Sequence, residues 1–199
     1  MMLYFTISFS LMLFTALWMW ALARKFQYRD AAGVETPFSI LDLQFPSSEQ
    51  ELCNIIAGLS PAARKALRGH LWVDFLFMAG FYPSIAFLCI IVGDKTGAGQ
   101  YFFWLMATLQ LYAWMFDIQE NGYCLRKLRK PVVSATKNAF QSYSFFVYAK
   151  FILCLTGVAV SVSALFYCWI TGNFEMGSLW YVGVLLVELL IAWRIKAAL

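Results

Sequence analysis

Apolar positions run along this chain in long blocks, and polar positions gather between them in short basic clusters. Residues 2–22, 71–92, 101–123 and 143–170 are each long enough to cross the ~30 Å hydrocarbon layer of a bilayer as a helix, and 178–194 is a shorter fifth apolar block at the low end of spanning length. The pattern predicts an all-α membrane protein, a single bundle of five transmembrane helices over 1–199 with a loop at 24–70. Ala21-Leu22-Ala23 resembles a signal-cleavage site, but no basic stretch precedes the first block, and Arg24, Lys25 and Arg29 follow it. It therefore reads as a retained span.

Within the loop, Leu41, Leu43 and Phe45 alternate with Asp42 and Gln44, which predicts a short extended piece over 38–45. Pro46-Ser47-Ser48 breaks it, and Ser48 with Glu51 fits a capping box. Leu52, Ile55, Ile56 and Leu59 then give one apolar face to a short amphipathic cytoplasmic helix, lying on the membrane surface or against the bundle. Ser60-Pro61 opens a helix that carries Arg64, Lys65, Arg68 and His70 before the second span begins at Leu71. Pro83 predicts a kink in that span. A turn over 94–99 makes the second and third spans antiparallel neighbours, and Pro131 ends the basic extension of the third. Gly157, Ser161 and Ser163 predict close helix packing on the fourth span.

Composition fits this reading: 62% of the 199 residues are hydrophobic and 13% charged, against about a quarter charged in soluble domains. The net charge of +4 does not point to nucleic acid, because the basic residues sit in flanks beside apolar blocks. Five spans with the N-terminus outside and the C-terminus cytoplasmic put Arg24, Lys25, Arg64, Lys65, Arg126, Lys127, Arg194 and Lys196 inside and only Lys95 outside. Trp18, Trp20, Trp72 and Trp193 then fall near the inner interface, and Trp104, Trp169 and Trp180 near the outer one. The five cysteines form no C-x-x-C and are spread over different segments, so they read as buried free thiols.

The candidate chemistry lies in the stretch WMFDIQENGYCLRKLRKP, residues 114–131. Asp117, Glu120 and Asn121 share a helical face just before a basic cluster. Asp74, Lys150 and Glu188 fall at similar depth on the other spans, and His70 lies one turn before Asp74. Ionisable groups at that depth are costly and mark a site by default. The candidate polar site is therefore Asp74, Asp117, Glu120, Asn121, Lys150, His70 and Glu188. Acid outnumbers base within it, so protonation, snorkelling arginines or a bound cation must offset the excess. Asp74, Asp117 and Glu120 are the candidate ligands for a divalent cation, magnesium, manganese or calcium, which would in turn hold an anionic phospholipid headgroup. Three alternatives stay open: a structural or assembly subunit whose polar cluster is an interhelical network, a metal-dependent lipid-modifying enzyme, and a small ion- or proton-coupled carrier. The lone His excludes a His-rich di-iron centre. H-E-x-x-H, G-x-S-x-G, Walker A and the D-G-x-x-A-R signature of CDP-alcohol phosphotransferases are all missing.

LDLQF at 41–45, DFLFMAGFYPSIA at 74–86 and FDIQEN at 116–121 together resemble a pattern of small bacterial polytopic membrane proteins of unassigned activity. In that pattern an acidic LEL-like piece precedes a D-F-x-F…Y span and a D-x-x-E-N span. The resemblance covers residues 38–130, with Asp42 standing where Glu is expected. It implies that Asp74, Asp117, Glu120 and Asn121 form one unit, in a multi-pass protein of the bacterial cytoplasmic (inner) membrane.

Overall fold

The computed structural model describes residues 1–30, 32–129, 137–173 and 179–198. They form a helical protein: α1 Met2–Ala23, α2 Ile40–Gln44, α3 Glu49–Gly58, α4 Pro61–Gly93, α5 Gln100–Arg129, α6 Lys137–Ile170 and α7 Leu179–Ala198. A small antiparallel hairpin, β1 Gln27–Arg29 and β2 Glu35–Pro37, follows α1. Three of the helices, α1, α4 and α6, are long and apolar enough to cross a membrane. In α5 the run is interrupted by Gln110, Asp117, Glu120 and Asn121, and α7 carries Glu188, Arg194 and Lys196 within 20 residues.

The surface is inverted relative to that of a soluble protein. On α5 the buried stripe is Phe103, Ala107, Gln110, Ala113, Asp117, Glu120/Asn121 and Cys124, the i, i+3, i+4 spacing of one helical face. The outer face exposes Phe102, Leu105, Leu111, Tyr112, Met115 and Ile118. Helix α5 thus turns its polar side chains to the interior and its apolar ones outward.

Packing is densest where glycine removes a side chain. At Gly80 on α4, an added Cβ would lie 2.5 Å from the Met12 amide nitrogen and 2.7 Å from the Ser8 carbonyl oxygen of α1. The two backbones meet there directly. At Gly157 on α6, a Cβ would collide with Gln110 Nε2 of α5 and lie 3.0 Å from Ile85 Cγ2 of α4. The close packing expected at Gly157 is therefore present. Helix α4 runs unbroken through Pro83, and the Ser84 hydroxyl donates to the Gly80 carbonyl oxygen at 2.6 Å.

The segment between α1 and α4 differs from its sequence reading. Residues 38–45 are not extended: Ile40–Gln44 is a helical turn, and the two short strands lie before it. Cap chemistry overrides the alternation, because the Asp42 carboxylate accepts from Ser39 N–H at 2.7 Å and folds the turn. Hairpin geometry comes from Asp30, whose Oδ1 accepts from the amides of Ala32 and Val34, with Gly33 at φ 82°. The α3 capping box is half formed. Ser48 Oγ accepts from Glu51 N–H at 3.2 Å, but Glu51 turns to the amide and hydroxyl of Ser47, which hold its carboxyl below the ordinary range.

Helix α3 lies against the bundle, with Leu52, Cys53, Ile55 and Ile56 buried. Leu52, Ile55 and Ile56 join Phe26, Phe38 and Leu43, the start of α4, and Cys124, Leu125, Leu128, Tyr143 and Val147 in one apolar cluster. Arg64 fastens this end, donating to the carbonyl oxygens of Ile56 and Leu128, near the ends of α3 and α5, at 2.8 and 3.1 Å. A second apolar cluster lies farther along α4, α5 and α6, around Met78, Tyr82, Cys89, Phe103, Ala113 and Cys154. Helix α6 begins six residues before the expected 143. Pro131 lies outside the described residues. All five cysteines are free and buried.

Candidate functional site

Between the two apolar clusters lies a polar layer. On α4 the inward row passes from buried Leu71 through half-buried Asp74 to buried Met78, and on α6 the buried row passes from Val147 to Lys150 to Cys154. On α5 it passes from Ala113 through Asp117, Glu120 and Asn121 to Cys124. Spacings of three and four keep each row on one face, so three helices turn their polar residues to a common centre.

Lys150 occupies that centre. Its Nζ donates to Asp117 Oδ1 at 2.5 Å and lies 2.5 Å from Glu120 Oε2. Asp117, Glu120 and Lys150 are 5%, 1% and 4% exposed, so water does not screen these pairs. The other carboxylate oxygens face neutral donors. Tyr82 OH donates to Asp117 Oδ2 at 2.9 Å, and Gln44 Nε2 donates to Glu120 Oε1 at 2.9 Å. Asn121 Nδ2 donates to Asp74 Oδ2 at 2.6 Å. Asp74 is only partly buried and has no ion-pair partner among the described residues.

Helix α2 closes the layer from the basic end. Gln44 reaches Glu120, and the Leu43 carbonyl oxygen accepts from Tyr143 OH at 2.6 Å. Tyr143 stacks on Tyr123 with ring centroids 4.7 Å apart and accepts a weak bond from Cys124 Sγ. Phe45 packs on Tyr148 and Phe151 of α6.

Five of the seven candidate residues thus come together: Asp74, Asp117, Glu120, Asn121 and Lys150. His70 and Glu188 do not join them. His70 Nδ1 bonds the Met19 carbonyl oxygen of α1 at 3.1 Å, and its ring meets Phe26 edge-on. The 40° between positions i and i+4 turns His70 toward α1 while Asp74 faces α5. Glu188 lies on α7 and accepts from Ser10 Oγ of α1 at 2.6 Å, with Oε2 buried and unpartnered.

The candidate set read from the sequence leaves out Gln44, Tyr82, Tyr143 and Gln110, although Tyr82 is the tyrosine of the D-F-x-F…Y pattern. Gln110 is two helical turns before Asp117, a spacing that marks the same face; its Nε2 donates to the Met106 and Leu153 carbonyl oxygens at 3.2 Å each. Tyr82 continues the row Asp74–Met78–Tyr82 at four-residue steps. No local signal marks Gln44 or Tyr143, which depend on the fold of α2.

Chemically, the layer holds one ammonium between two carboxylates and a third carboxylate on an amide. Such a set can share protons internally and tie helices together. Among the described residues no three His, Cys, Asp or Glu side chains are placed to hold a metal ion. No family model, curated protein or solved structure matches the chain.

Proposed function

We propose that the protein is a five-span, multi-pass component of a bacterial cytoplasmic membrane, N-terminus outside and C-terminus inside, whose polar layer is an interhelical network that fixes the bundle. On this reading it is a structural or assembly subunit. The observation that carries it is the position of Lys150 Nζ, 2.5 Å from both Asp117 and Glu120, where a bound cation would otherwise stand. The orientation is supported by the basic end, which gathers Arg24, Lys25, Arg64, Lys65, Arg126, Lys127 and Arg129, whereas Lys95 lies at the opposite turn. Helices α5 and α7 complete the count of spans. The polar face of α5 is covered by α4 and α6, and its apolar face meets lipid.

One observation favours the second reading, a site for a divalent cation or a headgroup held through it. Asp74, Asp117 and Glu120 face a single lysine, and Asp74 is the partly exposed member. Thermal stability of the detergent-purified protein with and without magnesium, manganese or calcium separates the two. A network predicts no metal-dependent shift and an Asp117→Asn variant that melts earlier in every buffer. A cation site predicts stabilisation by metal that the variant loses.

A further inference from the structure

Away from the polar layer, the end of α1 and the start of α4 line an open groove of about 590 Å³ at the basic end. Its floor is made of small residues on one face of α4, Ala62, Ala66 and Gly69. Trp18 and Leu22 of α1 wall one side; Trp72, Val73 and Leu76 of α4 continue the other toward the apolar middle. Lys25 and Lys65 stand at the mouth, both exposed, and neither pairs with an acid among the described residues.

We propose that this groove binds one anionic glycerophospholipid of the cytoplasmic leaflet. The phosphate lies between Lys25 and Lys65, and one acyl chain follows the floor past Gly69 to Leu76. Charge complementarity selects the occupant: two unpaired ammonium groups open onto an otherwise apolar trough, as in basic pockets between membrane helices that hold anionic headgroups. Depth agrees with it. Lys65 to Leu76 is about 16 Å at 1.5 Å per residue, enough to pass from headgroup to acyl chain. Trp18 and Trp72 fall between, where amphipathic rings settle at the interface. The site is separate from the acidic layer and does not depend on whether that layer binds anything.

The test is lipid retention by the full-length protein, measured by native mass spectrometry after exchange from detergent containing equal phosphatidylglycerol and phosphatidylcholine. The proposal predicts one retained phosphatidylglycerol per chain. In Lys25→Gln/Lys65→Gln its apparent affinity falls roughly 30-fold, the loss of two lysines near an anionic surface. Gly69→Leu keeps both charges but fills the floor, and it also releases the lipid. The site is open there, since an added Cβ meets only Leu22 Cδ1 at 3.6 Å and Leu22 Cδ2 at 3.9 Å. Equal retention of both lipids, or undiminished retention by the lysine variant, would overturn the proposal. So would a lipid-free dimer that Gly69→Leu dissociates, which would make the occupant a second copy.

Discussion

Carboxylates in two regions of the bundle are held in opposite ways. Asp117 and Glu120 lie at the meeting of α4, α5 and α6, share an ammonium, and are covered by α2. Glu188 sits on α7, a helix with no fully buried residue, and has one hydroxyl partner from α1. The contrast shows what an acid placed among apolar helices does for a fold. Where several elements converge, the charge can be paired and its remaining lone pairs filled, so removing one partner is felt by all. Where two helices merely touch, a single hydrogen bond joins them and little else depends on it.

The largest effect follows from breaking the paired centre. Lys150→Met strands two carboxylates and should cost about 3–5 kcal/mol of unfolding free energy in detergent. Next comes the junction between the two regions. Gly80→Leu drives a side chain into the α1 backbone and should cost about 3 kcal/mol, the upper end of overpacking, because backbone rather than a flexible side chain must yield. Proteolysis should then cut α1 and α7 away from an intact α4–α6 core. Uncovering the centre is milder. Gln44→Leu removes one hydrogen bond from Glu120 and should cost about 1–2 kcal/mol, with faster hydrogen exchange confined to residues 40–45. Glu188→Gln should be the smallest, roughly 0.6 kcal/mol, since the amide still accepts from Ser10. If Glu188→Gln proved as costly as Lys150→Met, the contrast between the regions would fail.

How much of this the sequence announces depends on the range of the interaction. Helices α1, α4 and α6 are legible as blocks because lipid solvation demands an unbroken apolar run. The α5 row is legible because i, i+3, i+4 spacing is local, and Lys150 because a lone cation amid apolar residues stands out. The pairing of Lys150 with Asp117 and Glu120 is not legible, since it depends on how α6 is rotated against α5. Residues 38–45 mislead for a different reason: Asp42 reads as an outward-facing strand position but serves as a cap, and this frees Gln44 to turn inward. His70 shows the limit of face arguments. One turn from Asp74, it is claimed by α1 and Phe26 instead.

The most direct measurement compares unfolding free energies of Lys150→Met and Lys150→Met/Asp117→Asn/Glu120→Gln in the same detergent. If the centre is an internal network, the single variant is destabilised by about 3–5 kcal/mol and the triple variant recovers most of that loss, because its neutral amides leave no stranded charge. A triple variant as unstable as the single one, or a single variant as stable as the native protein, would contradict the account.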